Sequence, residues 1–163
     1  MGVQRRRPLM PGYGIAEGEE GLLDWETVRG RLRDSRNYWL ATVRPDGRPH
    51  AMPVWAVWLD DAVWFSSSLG SRKIRNLRAN PACTITTEDG QDPVVLDGTA
   101  GIVTDPARIG AFLAAVNAKY EADLGIDFLD PAVNATVRIE PREVFALEEA
   151  RFTESPTHFR LGP

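Results

Sequence analysis

Ser66, Ser67 and Ser68 are followed closely by Gly70, Ser71, Arg72 and Lys73, in the run SSSLGSRKIRNLR. These residue types suit a bound phosphate. Serine hydroxyls donate at short range, and glycine lets backbone approach closely. A guanidinium offers a planar fork of donors and an ammonium a point charge. Ser71 reads as a helix N-cap, and the free N–H groups of a helix start favour an anion. Cations in that first turn oppose the positive end of the helix dipole. A phosphate monoester or diester held there relieves the conflict.

The charge distribution agrees. No Asp or Glu occurs from Ala62 to Thr87, whereas Arg72, Lys73, Arg75 and Arg78 all fall in that window. The chain carries a net −4, so the remainder carries −8. A positive island on an acidic protein points to a bound anion, against the plainer alternative of a solvated helix face. The overall sign argues against nucleic acid as a partner.

Other chemistries lack their residues. His50 and His158 lie far apart and neither has metal-ligand spacing to Cys83, so no metal is expected. Cys83 is the single cysteine, which excludes an internal disulfide and suggests a reducing, cytoplasmic compartment. There is no G-x-S-x-G elbow, no Walker loop and no dinucleotide-binding glycine pattern. No apolar run reaches the ~20 residues of a membrane span, and no signal peptide is visible. No catalytic side chain is assigned; His50 and Tyr120 are candidate proton sources beside solvent.

The elements that must position these residues follow from periodicity. Residues 1–21 are rich in Gly, Pro and charge and read as an irregular arm; 22–163 read as one domain. A helix is expected within 22–36, capped by Asp24, with Leu23 and Val28 at the spacing of a hydrophobic staple. Strands are expected over 38–44, 50–59 and 62–67, joined by the turn RPDGRP and by Asp60-Asp61. Most tryptophans of these strands are expected in the core. Pro53 lacks an N–H and belongs at an edge, a bulge or a gap in the ladder. A short helix over 71–80 stops at Pro81, and strands follow at 82–87 and 93–103 with a bend or bulge at Asp97-Gly98. Asp105 caps a long helix with Pro106 at its first position. A long strand from 134, interrupted near Pro141, and an extended tail complete the chain. The sum is mainly β (α+β): a six-stranded antiparallel split β-barrel with flanking helices.

The stretch WLATVRPDGRPHAMPVWAVWLDDAVWFSSSLGSRKIRNLRANP resembles the FMN-binding split β-barrel proteins related to pyridoxamine 5′-phosphate oxidase, and within them the flavin/deazaflavin oxidoreductase branch. The close resemblance covers roughly 38–81, carried by the pair G-x-P-H-x-x-P-V-W and S-R-K-x-R-N-L-x-x-N-P. It implies a homodimer with cofactor sites at the interface. It implies that Ser66, Ser67, Ser71, Arg72 and Lys73 hold the cofactor phosphate. His50, Met52, Pro53, Val54 and Trp55 would run along the ring, and the partner's C-terminal segment and the helix bearing Lys119 and Tyr120 would close the site. The implied activity is hydride transfer from reduced coenzyme F420 to a small unsaturated organic substrate. The alternatives are an FMN-dependent oxidase or reductase and a non-catalytic flavin- or heme-binding protein. One departure is plain: the Arg-x-His-x-Arg pattern of true pyridoxamine phosphate oxidases is missing from the C-terminus, where SPTHFRL stands.

Overall fold

The computed structural model describes residues 2–162. Its strands are β1 (Gly2–Arg6), β2 (Tyr38–Val43), β3 (Pro49–Val54), β4 (Val57–Leu59), β5 (Ala62–Ser68), β6 (Ala82–Thr87), β7 (Val94–Val103), β8 (Asn134–Ala146) and β9 (Thr157–Gly162). Three α-helices accompany them: α1 (Trp25–Asp34), α2 (Arg72–Ala79) and α3 (Pro106–Tyr120). The sheet runs β1-β9-β8-β7-β6-β2-β3, with β5 pairing β8 and β4 pairing β5, all antiparallel. β3 pairs only with β2, and β5 does not reach it. The sheet therefore curls into a split barrel whose opening lies between β3 and β5.

The six strands expected from the sequence form this wall, with three differences. The strand expected over 50–59 divides at Trp55–Ala56 into β3 and β4, which pair with different neighbours. The physical reason is that the backbone of Ala56 is bonded to side chains of α3 instead of to a strand. The arm expected to be irregular over 1–21 begins with strand β1, which pairs in full with β9. Its turn-rich composition follows only after residue 6, with Gly12, Gly14, Gly18 and Gly21 at positive φ. The extended tail, likewise, is strand β9.

The turns behave as their residues dictate. Asp60 and Asp61 both take positive φ, the geometry of a tight hairpin. Asp24, Ser71 and Asp105 cap their helices by accepting from the backbone N–H groups of Thr27, Ile74 and Arg108. Pro53 sits in register opposite Trp39 on the edge strand β3, so the edge explains it.

β8 is the hinge of the barrel. As far as Ile139 one of its edges pairs with β5; from Glu143 that edge pairs with β9, while β7 follows the other edge throughout. The change of partner falls at Pro141, opposite Gly98 and the bulge at Asp97/Gly98.

Period-2 alternation divides the core in two. Val63 and Phe65 of β5 point into the barrel with Leu40, Ile85, Leu96, Val137 and Ile139, and α1 and α2 plug it with Val28, Leu32, Ile74 and Leu77. Ala62 and Trp64 point outward, where α3 covers them with Ile109, Phe112, Val116 and Tyr120. The expectation that most tryptophans are core needs correction: Trp64 is fully buried, but Trp39 and Trp55 are 49% and 47% exposed. Trp39 is on the outward face of β2, and Trp55 lies just past the end of β3. Among the described residues no helix is long and apolar enough to cross a membrane.

Candidate cofactor site

Helix α2 is held against the barrel by its apolar side and by one polar strut. Asn76 is fully buried, and its Nδ2 donates to Thr42 Oγ1 of β2 at 3.0 Å. That hydroxyl in turn donates to the His50 carbonyl of β3 at 3.5 Å, at the limit of a hydrogen bond. The strut thus fixes the helix relative to the open edge of the sheet. Nothing in the sequence marks Thr42 and Asn76 as a pair, because their separation is closed only by packing α2 across β2.

At the start of α2, Ser71 Oγ accepts from Ile74 N at 3.4 Å and from Ser67 Oγ at 3.1 Å, and Lys73 Nζ donates to Ser67 Oγ at 3.3 Å. Ser68 Oγ accepts from Gly70 N at 3.3 Å, tightening the turn between β5 and α2. Among the described residues, no carboxylate forms an ion pair with Arg72, Lys73, Arg75 or Arg78. The positive charge of this corner is uncompensated by the protein.

The structure brings His50 to the same corner. His50, Met52 and Val54 lie opposite Thr42, Leu40 and Tyr38 and so share the inner face of the sheet. Nδ1 of His50 is buried and has no hydrogen-bond partner. Removal from water first, then the charges of Arg44, Lys73 and Arg72, hold this imidazole below its ordinary value of 6.5. A buried ring nitrogen without a partner, in the field of three cations, suits an anionic ligand. Arg44, the first residue of the turn after β2, belongs to this field; its only sequence signal is its place in that turn.

A pH prediction follows. The folded pKa of His50 lies below the unfolded one, so the stability gained from keeping it neutral is fully present above about pH 6.5 and is lost as pH falls below that value through the lower folded pKa. Proton NMR should place the His50 titration below 6.5 in the free protein, and saturating inorganic phosphate should move it upward, since an anion favours the imidazolium. An unchanged titration with phosphate bound would separate His50 from the site.

The remaining expected residues are placed unevenly. Ser67 joins Ser71 and Lys73, whereas Ser66 points with Trp64 toward α3, on the other face of β5. Met52 is 44% exposed at the barrel opening. Pro53 faces the other way, beside Trp39. Trp55 lies beyond the strand and stacks on Tyr120, ring centroids 4.3 Å apart and planes within 4°.

Tyr120 and Lys119 act within their own chain as braces of the β3–β4 break. Tyr120 Oη accepts from Ala56 N at 2.8 Å and lies within donating distance of the Ala56 and Arg36 carbonyls. Lys119 Nζ donates to Ala56 O at 3.0 Å and to Tyr38 Oη at 2.6 Å, and burial lowers its pKa to about 8. Burial raises the Tyr120 phenol, which makes it a poor proton donor. Tyr120→Phe should cost about 1–3 kcal/mol in urea denaturation, because it leaves the buried Ala56 N–H unpaired.

With this geometry in place, the chain can be compared with known proteins. The sequence model of pyridoxamine 5′-phosphate oxidase matches residues 25–154. The chain belongs to the pyridoxamine 5′-phosphate oxidase family. The matched span begins with α1 and contains β2 to β8, so the barrel wall and the α2 corner lie within it, and β1 and β9 lie outside. Two solved structures are similar in sequence as well as in fold. A conserved hypothetical protein from Mycobacterium tuberculosis is 26% identical over 82% of this chain and 90% of its own, with a TM-score of 0.69. An F420 reductase is 28% identical over 75% of this chain and 96% of its own, with a TM-score of 0.60. A putative pyridoxamine 5′-phosphate oxidase from Listeria innocua, 15% identical over 75% of this chain and 96% of its own with a TM-score of 0.61, shows the fold alone. No functionally curated protein matches. Membership of the family puts the chain in the general class of flavin-type oxidoreductases.

Proposed function

We propose that this family member is a homodimeric, cytoplasmic oxidoreductase that transfers hydride between reduced coenzyme F420 and a small unsaturated organic molecule. The observation that carries the cofactor site is the cationic corner of Ser67, Ser71, Arg72 and Lys73 without a carboxylate partner, whose charges act on His50, a ring with a buried nitrogen that has no hydrogen-bond partner. These residues fit a phosphorylated flavin-type cofactor. Arg72, Lys73, Ser67 and Ser71 hold its phosphate, and His50 Nδ1–H donates to the same group. Met52 and Val54 line the ring, with the unpaired edge of β3 offering backbone groups to the ring edge. Ser66, Pro53 and Trp55 act one layer further out. Bound there, the reduced ring supplies the hydride; the protein supplies orientation and a shaped, partly dehydrated opening.

The choice of F420 over FMN rests on the likeness to the F420 reductase, since both cofactors present a phosphate. A pyridoxamine phosphate substrate is disfavoured. The segment that would bind it is built into β9, where Thr157 is buried and His158 bonds to Arg6 and lies 3.3 Å from Glu143. The dimer is supported by exposed Trp39, Val43, Met52 and Trp55 around the open edge, an apolar surface that a second copy would cover. Titration of the purified protein with F420 and FMN tests the cofactor. Saturable F420 binding tighter than FMN is expected; a yellow, FMN-loaded protein that ignores F420 would select the FMN alternative, and binding of neither would overturn the proposal.

A further inference from the structure

The chain holds a second group of cations that outnumber the carboxylates paired with them, outside the barrel. Arg138 and Arg142 stand on β8 and Arg108 in the first turn of α3. Together with Thr99, Gly101, Ile102 and Glu140 they line a groove of about 340 Å³. That volume is at the low end of small-molecule sites. As at α2, the first turn of α3 carries no acid, and Arg108 stands there instead.

Each arginine is placed by the sheet. Arg138 lies opposite Trp64 on β5 and Gly101 on β7, and the glycine leaves the surface beside it open. The Arg108 guanidinium lies over the Trp64 ring at 5.0 Å. Arg142 Nε donates to Thr99 Oγ1 at 2.7 Å. Glu140 pairs with Arg138 but is itself well exposed. Among the described residues, neither Arg108 nor Arg142 has a carboxylate partner. Three guanidiniums thus share one groove carboxylate. Asp60 and Asp61, at the neighbouring turn, also attract Arg138, each more weakly than Arg108 repels it.

Arg138 also carries an unmet polar group. Its Nε is buried without a hydrogen-bond partner, while its terminal nitrogens reach Glu140 and the Asp60 carbonyl. Burial and the like charge of Arg108 both disfavour its cationic form. Two guanidiniums lining one groove, one of them partly buried, repel each other, and an oxyanion between them relieves that repulsion.

We infer that the groove between the first turn of α3 and strands β7–β8 is a second anion site, taking the carboxylate or phosphate group of a small molecule through Arg108, Arg138 and Arg142. It is independent of the cofactor reading, because none of the residues lining it is among those assigned to the cofactor.

Isothermal titration of the full chain with citrate and with inorganic phosphate, ionic strength held constant with sodium chloride, tests it. The titration is run on wild type and on Arg72→Ala/Lys73→Ala, which removes the α2 corner. One saturable site should persist in the double variant. Arg108→Gln and Arg138→Gln, each added to it, should weaken that site by about tenfold or more. Stronger citrate binding identifies a polycarboxylate ligand, stronger phosphate binding a phosphate ester. Arg108 is exposed, so its variant carries the test if Arg138→Gln does not fold. Loss of all binding in Arg72→Ala/Lys73→Ala, or binding indifferent to Arg108→Gln, would overturn the inference.

Discussion

Arg72→Ala/Lys73→Ala is expected to weaken F420 or FMN binding by at least ~100-fold, since two charge-assisted bonds of about 1.5–3 kcal/mol each are removed and about 1.4 kcal/mol is tenfold. The same variant should leave the free protein as stable as wild type or slightly more so. In the absence of ligand the two cations sit at the positive end of the α2 dipole with no carboxylate partner, a placement unfavourable by roughly 0.3–1 kcal/mol per charge. The pair of measurements is decisive because the signs differ. A merely structural role for Arg72 and Lys73 would lower the melting temperature and the affinity together. Fluorescence titration and thermal melting of the same preparations separate the two cases. A full-affinity double variant would place the phosphate elsewhere.

Gly98→Ala should be the most damaging single-methyl change in the barrel. A Cβ at Gly98 would stand 2.6 Å from the Glu140 carbonyl oxygen and 2.6 Å from Ile139 Cγ2. One of those contacts is backbone, so no side-chain rotation relieves it. The position is also where β8 exchanges β5 for β9, so displacing β7 from β8 there disturbs three strand pairings at once. A loss of about 2–4 kcal/mol is expected, above the usual overpacking range because the backbone is held on both sides. For a chain of this size that corresponds to a fall in melting temperature of roughly 4–16 °C. Gly101→Ala on the same strand is the control: its nearest neighbour would be 4.0 Å away, and its stability should stay within about 0.5 kcal/mol of wild type. Equal behaviour of the two variants would show that the close approach at Gly98 is not what the bulge requires.

The site was partly legible before any coordinates. The run from Ser67 to Lys73 declares itself because a strand end, a cap and two cations are neighbours in sequence, and local geometry alone then puts them together. The role of Gly98 was legible as a bend from Asp97-Gly98, though not its reason, which is the carbonyl of Glu140. His50 could be named by resemblance, but its orphaned nitrogen could not, since that depends on β3 lying beside the start of α2. Ser66 reads like its neighbours in sequence, yet strand alternation sends it to the opposite face. Trp39 and Trp55 look like core residues by type and are half exposed, Trp39 because strand alternation turns it to the outer face of β2 and Trp55 because it lies past the end of β3.

By itself, then, the sequence determined the antiparallel wall, the capped helices, the tight turns and a helix start that carries two cations. These rest on contacts within a few residues, where periodicity and turn chemistry leave little choice. Tertiary structure alone decided where the barrel splits. Ala56 is captured by Tyr120 and Lys119, each more than 60 residues away in sequence, and β3 is thereby parted from β4. It also decided that β1 closes over β9, and that Arg108 and Arg138 share one groove. Each of these is a long-range packing outcome, set by which surfaces bury together, and no local pattern encodes it.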